Sequence, residues 1–93
     1  MKIIEGNLVL KEDTVFDESI EVRGNIVCEG GPWDIKAWHI KAWDITAGNI
    51  TAWDISFWGL LFAYYSIKCK SAVSSRTKHA IVCLDGEVSY NED

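Results

Sequence analysis

Residues 33–62 read WDIKA, WHIKA, WDITA, GNITA, WDISF, WGLLF, six copies of one pentad with no insertion between them. The third position is Ile35, Ile40, Ile45, Ile50, Ile55 and Leu60, and the fifth is Ala37, Ala42, Ala47, Ala52, Phe57 and Phe62. Between them stand Lys36, Lys41, Thr46, Thr51 and Ser56, with Leu61 in the last copy. Side chains alternate across an extended chain, so each pentad predicts a three-residue strand with positions three and five inward and position four outward. Position two is Asp34, His39, Asp44, Asn49, Asp54 and Gly59, mostly residues that favour tight turns. An α-helix is excluded, because a strict period of five would wind the isoleucines around all sides of it.

Short strands joined by regular corners predict an all-β chain folded as a short β-solenoid. Each side of one coil then hydrogen-bonds to the same side of the next, about 4.8 Å away. Three pentads per coil stack Trp38 over Trp53 and Trp43 over Trp58. Four stack Trp33 over Trp53 and Trp38 over Trp58, and the pattern leaves both cross-sections open. The whole chain, 1–93, reads as one domain: looser first coils over 1–32, the strict repeat over 33–62, and a last coil or hairpin cap over 63–93. In the first part Gly6-Asn7-Leu8-Val9-Leu10 and Gly24-Asn25-Ile26-Val27-Cys28 fit the pentad with Gly in the Trp place, and Ile20 and Val22 supply another inward pair. Longer corners are expected at Lys11 to Thr14 and at Glu29 to Pro32. In the last part Ala63 to Ile67 reads as a further pentad and Ile67-Lys68-Cys69 as an inward, outward, inward triplet. Ser74 to His79 reads as a basic loop. Ala80 to Leu84 and Glu87 to Tyr90 are strands, paired as a hairpin through Asp85-Gly86 or stacked as a last coil. Asn91 to Asp93 is expected to fray.

The Asp or Asn followed by Ile or Leu every five residues, over about a third of the chain, resembles the pentapeptide-repeat family. That resemblance implies a right-handed, four-sided β-helix. The chain departs from the family where a small inward residue is replaced by Trp33, Trp38, Trp43 and Trp53. The Gly-Asn-Ile-x-Ala form is similar, more weakly, to bactofilins, which implies a polymerising β-helix. Neither resemblance carries over a functional residue.

Gly48 shares its pentad position with five tryptophans, and a buried corner would not tolerate both the smallest and the largest side chain. The position is therefore expected to open outward, placing Trp33, Trp38, Trp43, Trp53 and Trp58 on a rim that serves as a binding surface or interface. Coil ends expose unpaired backbone, so the open ends need a cover, and a homo-oligomer is expected. Residues 1–32 hold Glu5, Glu12, Asp13, Asp17, Glu18, Glu21 and Glu29 against Lys2, Lys11 and Arg23, a net of minus four, while Lys68, Lys70, Arg76 and Lys78 cluster late. This asymmetry suits head-to-tail contact as well as a plain solvated surface.

Composition narrows the functional classes. With 93 residues, 48% of them hydrophobic, the chain has no apolar run that spans a membrane, and Ile3-Ile4 gives way at once to Glu5-Gly6-Asn7, unlike a signal peptide. Cys28, Cys69 and Cys83 are an odd count without C-x-x-C spacing, which points to buried thiols in a reducing cytoplasm rather than to disulfides or zinc. Asp34, Asp44 and Asp54 are read as corner residues that hydrogen-bond nearby backbone, and His39 as a substitute for them. His79 has no evident metal partner. No nucleophile and base, phosphate loop or metal spacing is present, so neither an enzyme nor a cofactor is expected. The net charge of −5 and the lack of a basic stripe beside the tryptophans argue against nucleic acid. A near-neutral repeat is a poor duplex mimic, and two threonines, Thr46 and Thr51, make no ice-binding array. Two classes remain: a structural, self-assembling protein, or a binding module that presents tryptophan to a carbohydrate or a protein partner.

Overall fold

A computed structural model describes residues 1–76 and 80–90. It is a three-sided parallel β-solenoid of five coils. Sheet A is formed by β1 (Lys2–Glu5), β4 (Ile20–Arg23), β7 (His39–Lys41), β10 (Asp54–Phe57) and β13 (Ser71–Ser74). Sheet B holds β2 (Leu8–Leu10), β5 (Ile26–Cys28), β8 (Ile45–Ala47), β11 (Leu60–Ala63) and β14 (Ala80–Cys83). Sheet C holds β3 (Thr14–Val15), β6 (Ile35–Lys36), β9 (Ile50–Thr51), β12 (Ile67–Cys69) and β15 (Val88–Tyr90). No helix occurs among the described residues. The four-sided cross-section implied by the pentapeptide-repeat resemblance is replaced by a triangle. Three pentads make one coil, so Ile40 pairs with Ile55 and Ile35 with Ile50.

The inward positions form the core. Ile20, Ile26, Ile35, Ile40, Ile45, Ile50, Ile55 and Ile67 are each at most 1% exposed, and Ala37, Ala42, Ala47, Ala52 and Phe57 fill the space beside them. A triangular coil brings three sides together at its axis, and the alternation of Ile with Ala supplies volume for one residue per side without overfilling. Gly6-Asn7-Leu8-Val9-Leu10 and Gly24-Asn25-Ile26-Val27-Cys28 belong to coils one and two, paired Leu8 to Ile26 and Leu10 to Cys28.

Two expectations are corrected and one open alternative is decided. The strict repeat ends at Phe57, because Ile45 pairs with Leu61 and Ala47 with Ala63. Leu61 and Ala63 face inward at 0% exposure, while Leu60 and Phe62 are only partly buried. One extra residue sits in the corner, where the amides of both Trp58 and Gly59 donate to the Trp43 carbonyl, at 2.8 and 3.1 Å. A one-residue slip exchanges the two faces of a strand, so Leu60 and Leu61 trade roles. Likewise Ala63 to Ile67 has a longer corner than a pentad allows. Second, of the hairpin and the last coil left open for β14 and β15 the structure has the coil: they pair in parallel with β11 and β12 and make the fifth turn of the solenoid. Third, Ser74 belongs to β13 rather than to a loop. His79, Lys78 and the frayed end expected at 91–93 lie outside the described residues.

Candidate functional site

Two corners flank sheet A, and each carries a pair of tryptophans one coil apart. Between sheets C and A, Trp53 donates its amide to the Trp38 carbonyl at 2.7 Å, which holds the two residues in register. Their indoles stack with centroids 6.1 Å apart and planes inclined by 13°. The Lys70 ammonium lies 5.8 Å from the Trp53 centroid. Stacking and the cation both draw on the negative ring face, yet Trp38 and Trp53 remain 53% and 57% exposed, so only part of each ring is covered. His39 meets Trp53 edge-on at 6.2 Å, and its Nδ1 lies 3.0 Å from Asp54 Oδ2. The Ser71 hydroxyl donates to Asp54 Oδ1 at 2.6 Å.

The corner between sheets A and B carries a pair equally exposed, Trp43 at 57% and Trp58 at 52%, but its two indoles line a slot of about 360 Å³. The Arg76 guanidinium lies 4.5 Å from the Trp58 centroid. Beside the slot runs a groove of about 170 Å³, whose lining includes Glu21, Arg23, Lys41 and Ser56. Within it Arg23 donates to Glu21 at 3.0 Å and to Glu5 at 2.6 Å. The Glu21 hydrogen bond first, and then the Glu5 charge, hold the guanidinium protonated more firmly than usual.

At the third corner the expected rim fails. Trp33 is half-buried against the core, and its indole N–H donates to the Glu29 carbonyl at 2.7 Å. Gly48 above it is buried, and a Cβ there would collide with the Pro32 carbonyl. Gly24, in the coil below Trp43, is equally closed in by Gly6 and Asn7. Gly and Trp therefore share a pentad position because coils differ in how closely they approach, not because every corner opens outward. The five-tryptophan rim becomes two pairs, at two corners. The exposed Tyr64 and Tyr65 occupy the third corner one coil beyond Gly48, with Tyr64 edge-on to Phe62 at 5.1 Å.

The repeated acids act on the backbone. Asp34 Oδ1 accepts the amide of Asn49 at 2.8 Å, and Asp44 Oδ1 that of Leu60 at 2.8 Å. Asn7, Asn25 and Asn49 do the same for the coils above them. Asp54 instead meets the side chains of His39 and Ser71. Among the described residues no three or more His, Cys, Asp and Glu side chains are grouped to hold a metal. All three cysteines are free thiols. Cys69 is fully buried, whereas Cys28 and Cys83 are half-buried, less than the sequence suggested. Burial pushes all three thiols up, with the Asp54 charge adding to the effect at Cys69. The Cys28 thiol donates to the Thr46 carbonyl at 3.5 Å.

The coil ends are expected from the sequence to need a cover, but the apolar residues that they carry are not singled out there. The central outward positions of coil one are Ile3, Val9 and Val15, at 46%, 40% and 65% exposure, and those of coil five include Val73 and Val82, at 60% and 38%. In the middle coils the same columns hold Glu21, Lys36, Lys41, Thr46, Thr51, Ser56 and Lys68, with Val27 and Phe62 half-buried. Each sheet also ends in a strand paired on one side only among the described residues, β1 to β3 at one end and β13 to β15 at the other. The signal was Val or Ile where the repeat has Lys, Thr or Ser.

No described helix is long and apolar enough to cross a membrane. Comparison with known protein families, with curated proteins and with solved structures finds no match to this chain.

Proposed function

We propose that this chain is a structural, self-assembling protein without catalytic activity, whose copies add end to end through their open coil edges. The observation that carries the reading is the outward apolar residues of the first and last coils, against a mostly polar middle. Unpaired parallel edges template further strands, and apolar side chains on such an edge lose nothing to desolvation when a copy covers them. Continuing the solenoid in register places Val82 over Val9 and Val73 over Ile3. It also seats Leu8 and Leu10 on Ile81 and Cys83. Three free thiols support a reducing compartment such as the cytoplasm.

Light scattering across a dilution series tests this. The native chain is expected well above its 10.5 kDa monomer mass. Val9→Lys, blocked at one end, and Val82→Lys, blocked at the other, are each expected to be monomers, and an equimolar mixture to give dimers only. Dimers of either variant alone would mean that like ends meet. Unchanged mass in both would sink the end-to-end reading.

A second reading is a binding module that offers tryptophan to a carbohydrate or protein partner. The open slot at Trp43 and Trp58 favours it. The Trp38 and Trp53 pair, equally exposed, favours it less, since those rings stack on each other and Lys70 lies over Trp53. Replacing Trp38 and Trp53 together by Ala separates a side-by-side interface, which would lower the mass, from a recognition surface, which would not.

A further inference from the structure

The two corners that flank sheet A have the same residue spacing, fifteen from one tryptophan to the next, yet they are built differently. Trp38 and Trp53 close on each other with centroids 6.1 Å apart. Trp43 and Trp58 leave a slot of about 360 Å³. The coils approach equally closely at both corners, since Trp58 donates to the Trp43 carbonyl at 2.8 Å and Trp53 to that of Trp38 at 2.7 Å, but only the corner with the slot holds the extra residue, Gly59, whose amide shares the Trp43 carbonyl. Two indoles separated by one inserted ring stand about 7 Å apart, twice the contact distance of carbon atoms. Such a slot leaves apolar faces in water, which a flat ring would cover.

Charge narrows the ligand. In the adjoining groove the Glu21 carboxylate is taken by Arg23, which also binds Glu5. Lys41 lines the same groove, and among the described residues its ammonium makes no ion pair. The Arg76 guanidinium already lies over Trp58, so a second cation in the slot would be repelled. We propose that this corner binds a small molecule combining one flat aromatic ring with a carboxylate or phosphate, the ring held by Trp43 and Trp58 and the anion by Lys41. The site lies between the third and fourth coils, away from the ends, and does not depend on the assembly reading.

The test follows the indole N–H resonances of the full-length Val9→Lys chain, which keeps particles small and leaves the slot unaltered. Indole-3-acetate and adenosine 5′-monophosphate are the anionic probes, indole-3-acetamide and adenosine their neutral counterparts. Saturable shifts are expected at Trp43 and Trp58 and not at Trp38 and Trp53. The neutral probes are expected to bind about tenfold more weakly, as loss of one charge-assisted contact implies. Lys41→Ala should reduce the anionic probes to the neutral level, with recovery in Lys41→Arg, and Trp43→Ala should abolish binding. The tighter of the two anionic probes identifies the anion. Equal affinity for charged and neutral probes, shifts at all four indoles, or no saturable shift would overturn the proposal. Saturation by cellohexaose alone would replace it with a glycan face. Light scattering of Trp43→Ala in the otherwise native chain separates the two proposals, since assembly is expected to persist there.

Discussion

Gly48 occupies a position that holds tryptophan in five of the six pentads, and the reason is local. Its amide donates to the Trp33 carbonyl at 2.6 Å, which draws the two coils together at the corner where Pro32 precedes Trp33. The approach leaves no room for a Cβ beside the Pro32 carbonyl. Gly48→Ala is therefore expected to cost about 1–3 kcal/mol, the usual range for forcing extra volume into packed structure. Gly31→Ala, whose added Cβ would meet the Trp33 ring at an ordinary 3.4 Å, is expected to stay within about 0.5 kcal/mol. Urea denaturation of the two variants checks both values. Equal losses would mean that Gly48 is needed for something other than space.

At the level of the strand, register decides which side chain is core. β11 contains Leu60 and Leu61 in sequence, and the pentad spacing assigns the inward place to Leu60. The structure assigns it to Leu61, at 0% exposure, because Trp58 and Gly59 share one carbonyl and add a residue to the corner. Leu61→Ala is expected to lose about 2–5 kcal/mol as a buried large-to-small substitution. Leu60→Ala should lose about 1 kcal/mol or less, since less apolar area leaves the core. Chemical denaturation of the pair tests the slip directly, and the reverse order of stabilities would restore the unbroken pentad. The same sheet shows why the repeat alone does not define the strands: β14 has no pentad in its sequence, yet Ile81 pairs with Leu61 and Cys83 with Ala63.

Among the described residues each strand pairs only with strands of neighbouring coils, and the parallel pairs are separated by 15 to 21 residues along the chain. Such architectures behave as sums of coil and interface terms. Deleting residues 39–53 removes β7, β8 and β9 together and joins Trp38 to Asp54, which preserves the spacing of every corner. The shortened chain is expected to fold as four coils. Its unfolding should be cooperative, with a lower urea midpoint and a smaller m-value, since less surface is exposed on unfolding. Loss of all cooperative unfolding would mean that the third coil nucleates the rest. The open ends remain in this variant, so its assembly is expected to persist.

The local code was legible because it rests on alternation. Ile and Ala at inward positions, Lys, Thr and Ser between them, and Asp or Asn at corners specify parallel coils from Ile35 to Phe57 whatever the number of sides. The two looser first coils followed from Gly-Asn-Leu and Gly-Asn-Ile. Trp38, Trp43, Trp53 and Trp58 were placed on the surface by the same reasoning, and Trp33 was misplaced because its half-buried position depends on the Glu29 carbonyl and the turn before it. Contact between coils lies beyond what a five-residue pattern can express. Whether three or four sides close is settled by how the Ile and Ala side chains fill the axis. Whether neighbouring indoles stack, as at Trp53, or stand apart, as at Trp58, is settled by what borders each corner. Sequence alone determined the strand, its faces and its corners, because those depend on residues next to one another. The tertiary structure decided the triangle, the slip at Leu61, the slot and the apolar ends, because each depends on residues a full coil or more apart.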